Sequence, residues 1–113
     1  MINHELWCKS LQEYWQEKNI AKILSLFSEK VTYYETPRDL LNSKTDIAAA
    51  WEEIKNQSPV IITYKILCVE GNKCIANFYL DGSPAYDMIY EILLDETNKC
   101  TYFKQWFMCL GEV

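Results

Sequence analysis

Apolar residues at Trp7, Leu11, Tyr14 and Trp15 recur at i, i+4, i+7 and i+8, which lines one face of a helix from about His4 to Glu17. Lys18-Asn19 breaks that pattern. Ile20, Ile23, Leu24 and Phe27 restart it at i, i+3, i+4 and i+7, predicting a second short helix that ends near Ser28. From Val31 to Thr36 the β-branched and aromatic residues predict a strand, which Pro37 terminates because it lacks an N–H and restricts the residue before it. Ser43 or Thr45 can cap a third helix whose buried face is Ile47, Ala50, Trp51 and Ile54, and Gln57-Ser58-Pro59 stops it. The remaining apolar runs predict strands at about 60–70, 73–80, 86–94 and 100–109. Gly71-Asn72, Asp81-Gly82-Ser83-Pro84 and Asp95-Glu96-Thr97-Asn98 separate them, and turns this short join antiparallel neighbours. The order helix, helix, strand, helix, four strands predicts an α+β domain in which the helices cover one face of a curved antiparallel sheet.

At 113 residues, 50% hydrophobic and 24% charged, the chain is sized for one domain with its own core, spanning residues 1–113. A formal charge of -5 and the lack of any run of Lys or Arg argue against nucleic acid or an anionic membrane surface as partner. No stretch approaches the roughly 18 apolar residues of a membrane span. The start "MINHELWCKSLQ" lacks a basic segment followed by an apolar one, so a cytoplasmic location is expected. Cys8, Cys68, Cys74, Cys100 and Cys109 form an odd set without a CxxC pair, and His4 is the one histidine. They are read as reduced thiols of the core and strands, with no metal site and no cofactor. Tyr (8) and Trp (4) dominate the aromatics over Phe (4), and rings with polar tips suit cavity walls and interfaces.

Several segments in this order and spacing resemble the nuclear transport factor 2-like superfamily, within it the SnoaL-like or polyketide-cyclase-like branch of small bacterial proteins. They are "YWQEKNIAKILSLFSEKVTYYETP", the following "DIAAAW", the hairpin "CVEGNKCIANF" and the closing pair "YDMIYEILLDETNKCTYFKQWF". The resemblance covers nearly the whole chain. It departs at Lys18-Asn19, where an Asp-containing turn is common, and at Ser43-Lys44, where Gly is common. It implies a cone in which the sheet wraps around three helices of the N-terminal half and opens into a mostly apolar pocket, and it implies pairing of two copies through their sheets. The superfamily includes isomerases, dehydratases, cyclases and epoxide hydrolases beside members that only bind or associate, so the fold leaves function open.

Carried over position by position, the resemblance puts Thr36 where a ketosteroid-isomerase-like member has its catalytic Asp, just ahead of the proline. A hydroxyl there cannot act as the base near neutral pH without an activating neighbour. The oxyanion-stabilising Tyr and protonated Asp of those enzymes fall on Leu11 and Tyr90. The His and Asp pairing of dehydratase-like members has no counterpart beyond His4, near a terminus expected to fray. Binding without turnover is therefore expected over isomerase, cyclase or dehydratase chemistry.

Alternation along the first strand sends Tyr34 and Thr36 to one face and Tyr33 and Glu35 to the other, and the resemblance puts the first pair inside. Glu35 is then a solvated or interface acid, with a catalytic role its weaker reading unless a bulge beside Pro37 reverses the strand. Asp87 and Glu91 point outward if Tyr90 points in, while Phe103, Gln105 and Phe107 share the inner face. An amide in an apolar cavity must find a partner, from the protein or from a ligand. The expected pocket comprises Leu11, Trp15, Tyr34, Thr36, Trp51, Tyr64, Tyr90, Phe103, Gln105 and Phe107, with Asn77 also near it. Its expected occupant is a small hydrophobic or aromatic molecule with one or two polar groups. Trp106 and Met108 fall on the outer face, where an apolar patch suggests a homodimer or a purely interacting module.

Overall fold

Asn3 caps the first helix by accepting the Leu6 N–H at 3.0 Å, and α1 runs His4–Gln16 with Trp7, Cys8, Leu11 and Trp15 buried along one face. The computed structural model describes residues 1–57, 60–82 and 84–110. Lys18, at φ +57°, reverses the chain, and Asn19 caps α2 (Ile20–Leu24) by accepting the Lys22 N–H at 3.1 Å. This helix is shorter than its apolar periodicity predicts. The Leu26 carbonyl accepts both the Trp7 indole N–H at 3.0 Å and the Cys100 N–H at 2.8 Å, so it is committed outside any helix. Phe27 becomes the first residue of β1 (Phe27–Thr36), its ring edge-on to Trp7 at 5.7 Å and to Phe103 at 5.4 Å. Burying a large ring among aromatics outweighs one more turn of a five-residue helix.

Ser43 caps α3 (Lys44–Glu52), its hydroxyl accepting the Asp46 N–H at 3.1 Å, and a 3-10 turn over Glu53–Asn56 carries Ile54 into the core. The predicted stop at Ser58-Pro59 and the turn residue Ser83 lie outside the described residues. The long strands follow the predicted bounds closely: β3 (Ile61–Glu70), β4 (Lys73–Asp81), β5 (Ala85–Leu94) and β6 (Cys100–Leu110) form an antiparallel meander. Gly71, at φ +59°, takes the left-handed position of the β3–β4 turn that a side chain would strain. A three-residue strand that no pattern announced, β2 (Asp39–Leu41), folds back on β1 beyond a bulge at Tyr34–Thr36.

The six strands are ordered β2-β1-β6-β5-β4-β3 in one curved, unclosed sheet. It is antiparallel except where β1 lies parallel to β6, a pairing that joins the first and last strands of the long set. The helices cover its concave face. Strict alternation in β4 and β5 turns Cys74, Ala76, Phe78, Leu80, Met88, Tyr90, Ile92 and Leu94 toward them. On the sheet's far edge, two α1 side chains one turn apart engage β3: Gln12 donates to the Ile62 carbonyl at 2.6 Å and Gln16 accepts the Ile62 N–H at 2.8 Å.

The facing of β1 is opposite to the expected one. Tyr33 is 3% exposed and stacks on Phe103 at 4.9 Å with 22° between planes, whereas Tyr34 lies on the convex side near Tyr102 and under the Lys104 ammonium. The phase is set by the parallel pairing of Tyr33 with Phe103 on β6. Tyr33 lies opposite Phe103, which faces the helices, so Tyr33 and Glu35 two residues on take the concave side. Before Thr32 the β1–β6 register slips, so Phe27 at the strand's start does not fix the facing of its second half.

Candidate functional site

Beneath the open end of the cone lies a cavity of about 230 Å³, between α3 with its 3-10 extension and the concave ends of β1, β4, β5 and β6. Trp15 from α1 and Trp51 from α3 form one wall, their rings perpendicular at 4.9 Å. Tyr33, Leu80 and Met88 form the floor, and Tyr86 with Phe107, edge to face at 6.1 Å, forms the side toward solvent. Ala50 and Ile54 complete the helical side. The polar groups are Glu35, Glu53, Gln57 and Gln105.

Each wall residue follows from its element. Trp15 and Trp51 sit on the buried stripes of their helices, and the small Ala50 one position earlier leaves room for the void. Gln105 shares the inner face of β6 with Phe103 and Phe107, since alternate residues of a strand point the same way. Its amide nitrogen donates to the Glu35 backbone carbonyl at 2.9 Å. The ladder between β1 and β6 stops at Tyr34 and Lys104, so this side chain carries the pairing one step further.

Glu35 brings a carboxylate into a largely aromatic wall. Desolvation raises its pKa above the ordinary glutamate value, and the negative charges of Asp39 and Glu53 push it the same way. The ion pairs formed by the described residues, Lys44–Glu29, Lys55–Glu52 and Lys73–Glu91, include neither Glu35 nor Glu53. The Tyr33 phenol is pushed well up by burial. The neighbouring Trp51 N–H opposes that shift without reaching hydrogen-bond geometry, and Trp51 Nε1 is left buried with no partner. The Trp15 indole N–H reaches the Gln57 amide oxygen at 3.4 Å. The Glu35 and Glu53 carboxylates and the Gln105 oxygen are acceptors, while the Gln57 amide nitrogen and the Tyr86 phenol are donors in the same lining.

Of the residues singled out from the sequence, Trp15, Trp51, Gln105 and Phe107 come together around the cavity. Leu11, Tyr90 and Phe103 lie deeper, fully buried in the core. Tyr90 packs on Phe103 at 4.6 Å, and its hydroxyl meets the Met88 sulfur at 3.4 Å, so it presents no donor to the cavity. Tyr64 stacks on Phe78 and gives its hydroxyl to Glu5 at 2.5 Å, on the α1 side of the molecule. Tyr34 is on the convex face, and the Thr36 hydroxyl accepts the Arg38 N–H at 3.4 Å rather than lining the void. Asn77 is also convex, donating to Asp87 at 2.6 Å and to the Met88 carbonyl at 2.9 Å. His4 does not fray: it is 7% exposed, with Nε2 against the Gly71 carbonyl at 3.2 Å.

Tyr33, Glu53, Gln57, Ala50 and Tyr86 were not anticipated. The phase error in β1 hid Tyr33 and moved Glu35 outward, while Glu53 and Gln57 lie in the 3-10 turn and beyond, where helical periodicity no longer applies. All five cysteines are free, with Cys8, Cys74 and Cys100 buried, and its hydrogen bonding with Cys74, followed by burial, pushes the Cys8 thiol well up. Among the described residues no group of three or more His, Cys, Asp or Glu could hold a metal ion, and no helix is long and apolar enough to cross a membrane.

Neither a family model nor a curated protein sequence matches the chain. Solved structures do match it. AusH from Aspergillus nidulans superposes with a TM-score of 0.76 at 12% identity, over 96% of this chain and 87% of that one. A steroid delta-isomerase from Pseudomonas aeruginosa gives 0.72 at 8% identity, over 97% and 84%. A bacterial protein with a cystatin-like fold from Silicibacter pomeroyi gives 0.71 at 16% identity, over 93% and 75%. At such identities the likeness is one of fold.

Proposed function

We propose that this chain, which has the cystatin-like α+β fold of the nuclear transport factor 2-like superfamily, binds a small, mainly apolar or aromatic molecule in the cavity between α3 and the sheet, without turning it over. The observation that carries this reading is an open void of about 230 Å³ with indole and phenyl walls and an inward carboxylate. A concave, largely aromatic cavity with a few polar groups is the form that small-molecule sites take. Catalysis is the weaker reading. Glu35 is placed to take a proton, but among the described residues the lining holds no histidine, lysine or arginine beside it to stabilise the charge that develops elsewhere in a transition state.

Heteronuclear NMR with benzyl alcohol as probe tests the binding reading. The indole cross-peaks of Trp15 and Trp51 are expected to shift on titration. Ala50→Phe, which projects a ring into the void from the last turn of α3, should abolish those shifts while the melting temperature stays within a few degrees of wild type. Unchanged titration of the filled variant would place the ligand elsewhere.

A second reading, association through the convex face, is favoured by Trp106 and Met108, which stand 39% and 64% exposed on adjacent outward positions of β6. We infer a homodimer joined there, with Tyr34, Tyr102 and the Lys104 ammonium beside the patch. The two readings are compatible, since they use opposite faces of one sheet.

A further inference from the structure

We propose that the cavity is built for an organic cation, an ammonium or guanidinium group carried on a small apolar body. The inference rests on the binding reading above and names the class of ligand. Two carboxylates, Glu35 and Glu53, line the void, and no Lys, Arg or His does. The cations nearby are committed elsewhere. Lys55 pairs with Glu52 at 2.8 Å, the Lys18 ammonium donates to the Gln57 carbonyl, and Lys104 lies on the convex face over Tyr34 and Trp106.

The walls add to this preference. Trp15, Trp51 and Phe107 line the void beside the acids, and an aromatic ring attracts a positive charge placed over its face. The hydrogen-bonding inventory agrees. Gln105 spends an N–H on the Glu35 carbonyl, which leaves its oxygen as an acceptor beside the two carboxylates. A ligand that donates hydrogen bonds and carries positive charge is complementary to the Glu35 and Glu53 carboxylates and to the Gln105 oxygen. An anion would face two like charges with no cation in the lining to offset them. Asp39, which acts electrostatically on Glu35, extends the negative field around the mouth and favours entry of a cation.

Isothermal titration calorimetry with benzylamine, benzyl alcohol and benzoate at neutral pH and low salt isolates the charge, since the three share one ring and differ in the polar group. Benzylamine is expected to bind at least about tenfold more tightly than the alcohol, with benzoate weakest, in keeping with a charge paired near aromatic walls. In Glu35→Gln/Glu53→Gln that preference should fall to within about twofold, with the fold verified by circular dichroism. Equal affinity for amine and alcohol would overturn the cation assignment while leaving the pocket standing. Benzoate as the tightest of the three would also overturn it. Failure of all three to bind would overturn the pocket itself.

Discussion

Glu35 concentrates the tension between fold and site in a single side chain. Its carboxyl is raised above the usual glutamate range, chiefly by desolvation and secondarily by Asp39 and Glu53. The folded state therefore holds the proton more tightly than the unfolded chain does. Stability is highest below the unfolded glutamate pKa and declines as pH rises through the folded one. Glu35→Gln should accordingly raise the melting temperature at pH 7 and make no difference in acid where both states are protonated. Solvent in the open cavity screens the charge, so the gain should stay below about 1 kcal/mol, measured by urea denaturation across pH. A variant less stable than wild type at neutral pH would mean that the carboxylate has a stabilising partner. The identity of this residue as an acid before Pro37 was legible in the sequence, but its direction was not. That direction depends on the pairing of Tyr33 with Phe103, a partner from a distant part of the chain.

At the level of elements, local chemistry and long-range pairing divide the outcome. The caps Asn3, Asn19 and Ser43, the antiparallel meander and the indole-bearing helix faces all rest on interactions within a few residues or between sequence neighbours. Patterns in the chain reveal such features. β2 and the parallel contact of β1 with β6 do not arise that way, because three residues carry no periodicity and the β1–β6 partners lie some seventy positions apart. The Gln105 amide bonded to the Glu35 carbonyl at 2.9 Å is the clasp of this pairing. Gln105→Ala leaves that carbonyl short of a partner and should cost about 1–2 kcal/mol. Hydrogen exchange should quicken most at the C-terminal end of β1. Protection lost evenly over the whole sheet would mean that the bond has no local role.

For the whole molecule, the unclosed sheet presents two surfaces of different character, a concave one that surrounds the cavity and a convex one with an aromatic and thioether patch. If copies pair through the convex patch, unfolding is coupled to dissociation and the melting temperature climbs with protein concentration. Differential scanning calorimetry over about a hundredfold range of concentration should reveal this climb. Trp106→Glu with Met108→Glu should remove it and leave probe binding on the opposite face intact. A melting point independent of concentration in the wild type would argue for a monomer and for a different partner on that face.

The hold of Gln12 and Gln16 on both backbone groups of Ile62 has a consequence for the chain's behaviour in crowded solution. β3 ends the sheet, and it carries Ile61, Leu67 and Val69 exposed, the composition of a strand ready to recruit another. The glutamines counterfeit the rung that an incoming strand would form, so a templating edge is closed at one point by a helix that cannot itself propagate a sheet. Gln12→Ala/Gln16→Ala should reopen it, shortening the lag before thioflavin-positive aggregates form under mild agitation while the native circular dichroism spectrum is retained. Helix α1 then has a guarding duty apart from its share of the core: it keeps an incomplete barrel from finding its missing strand in a neighbour.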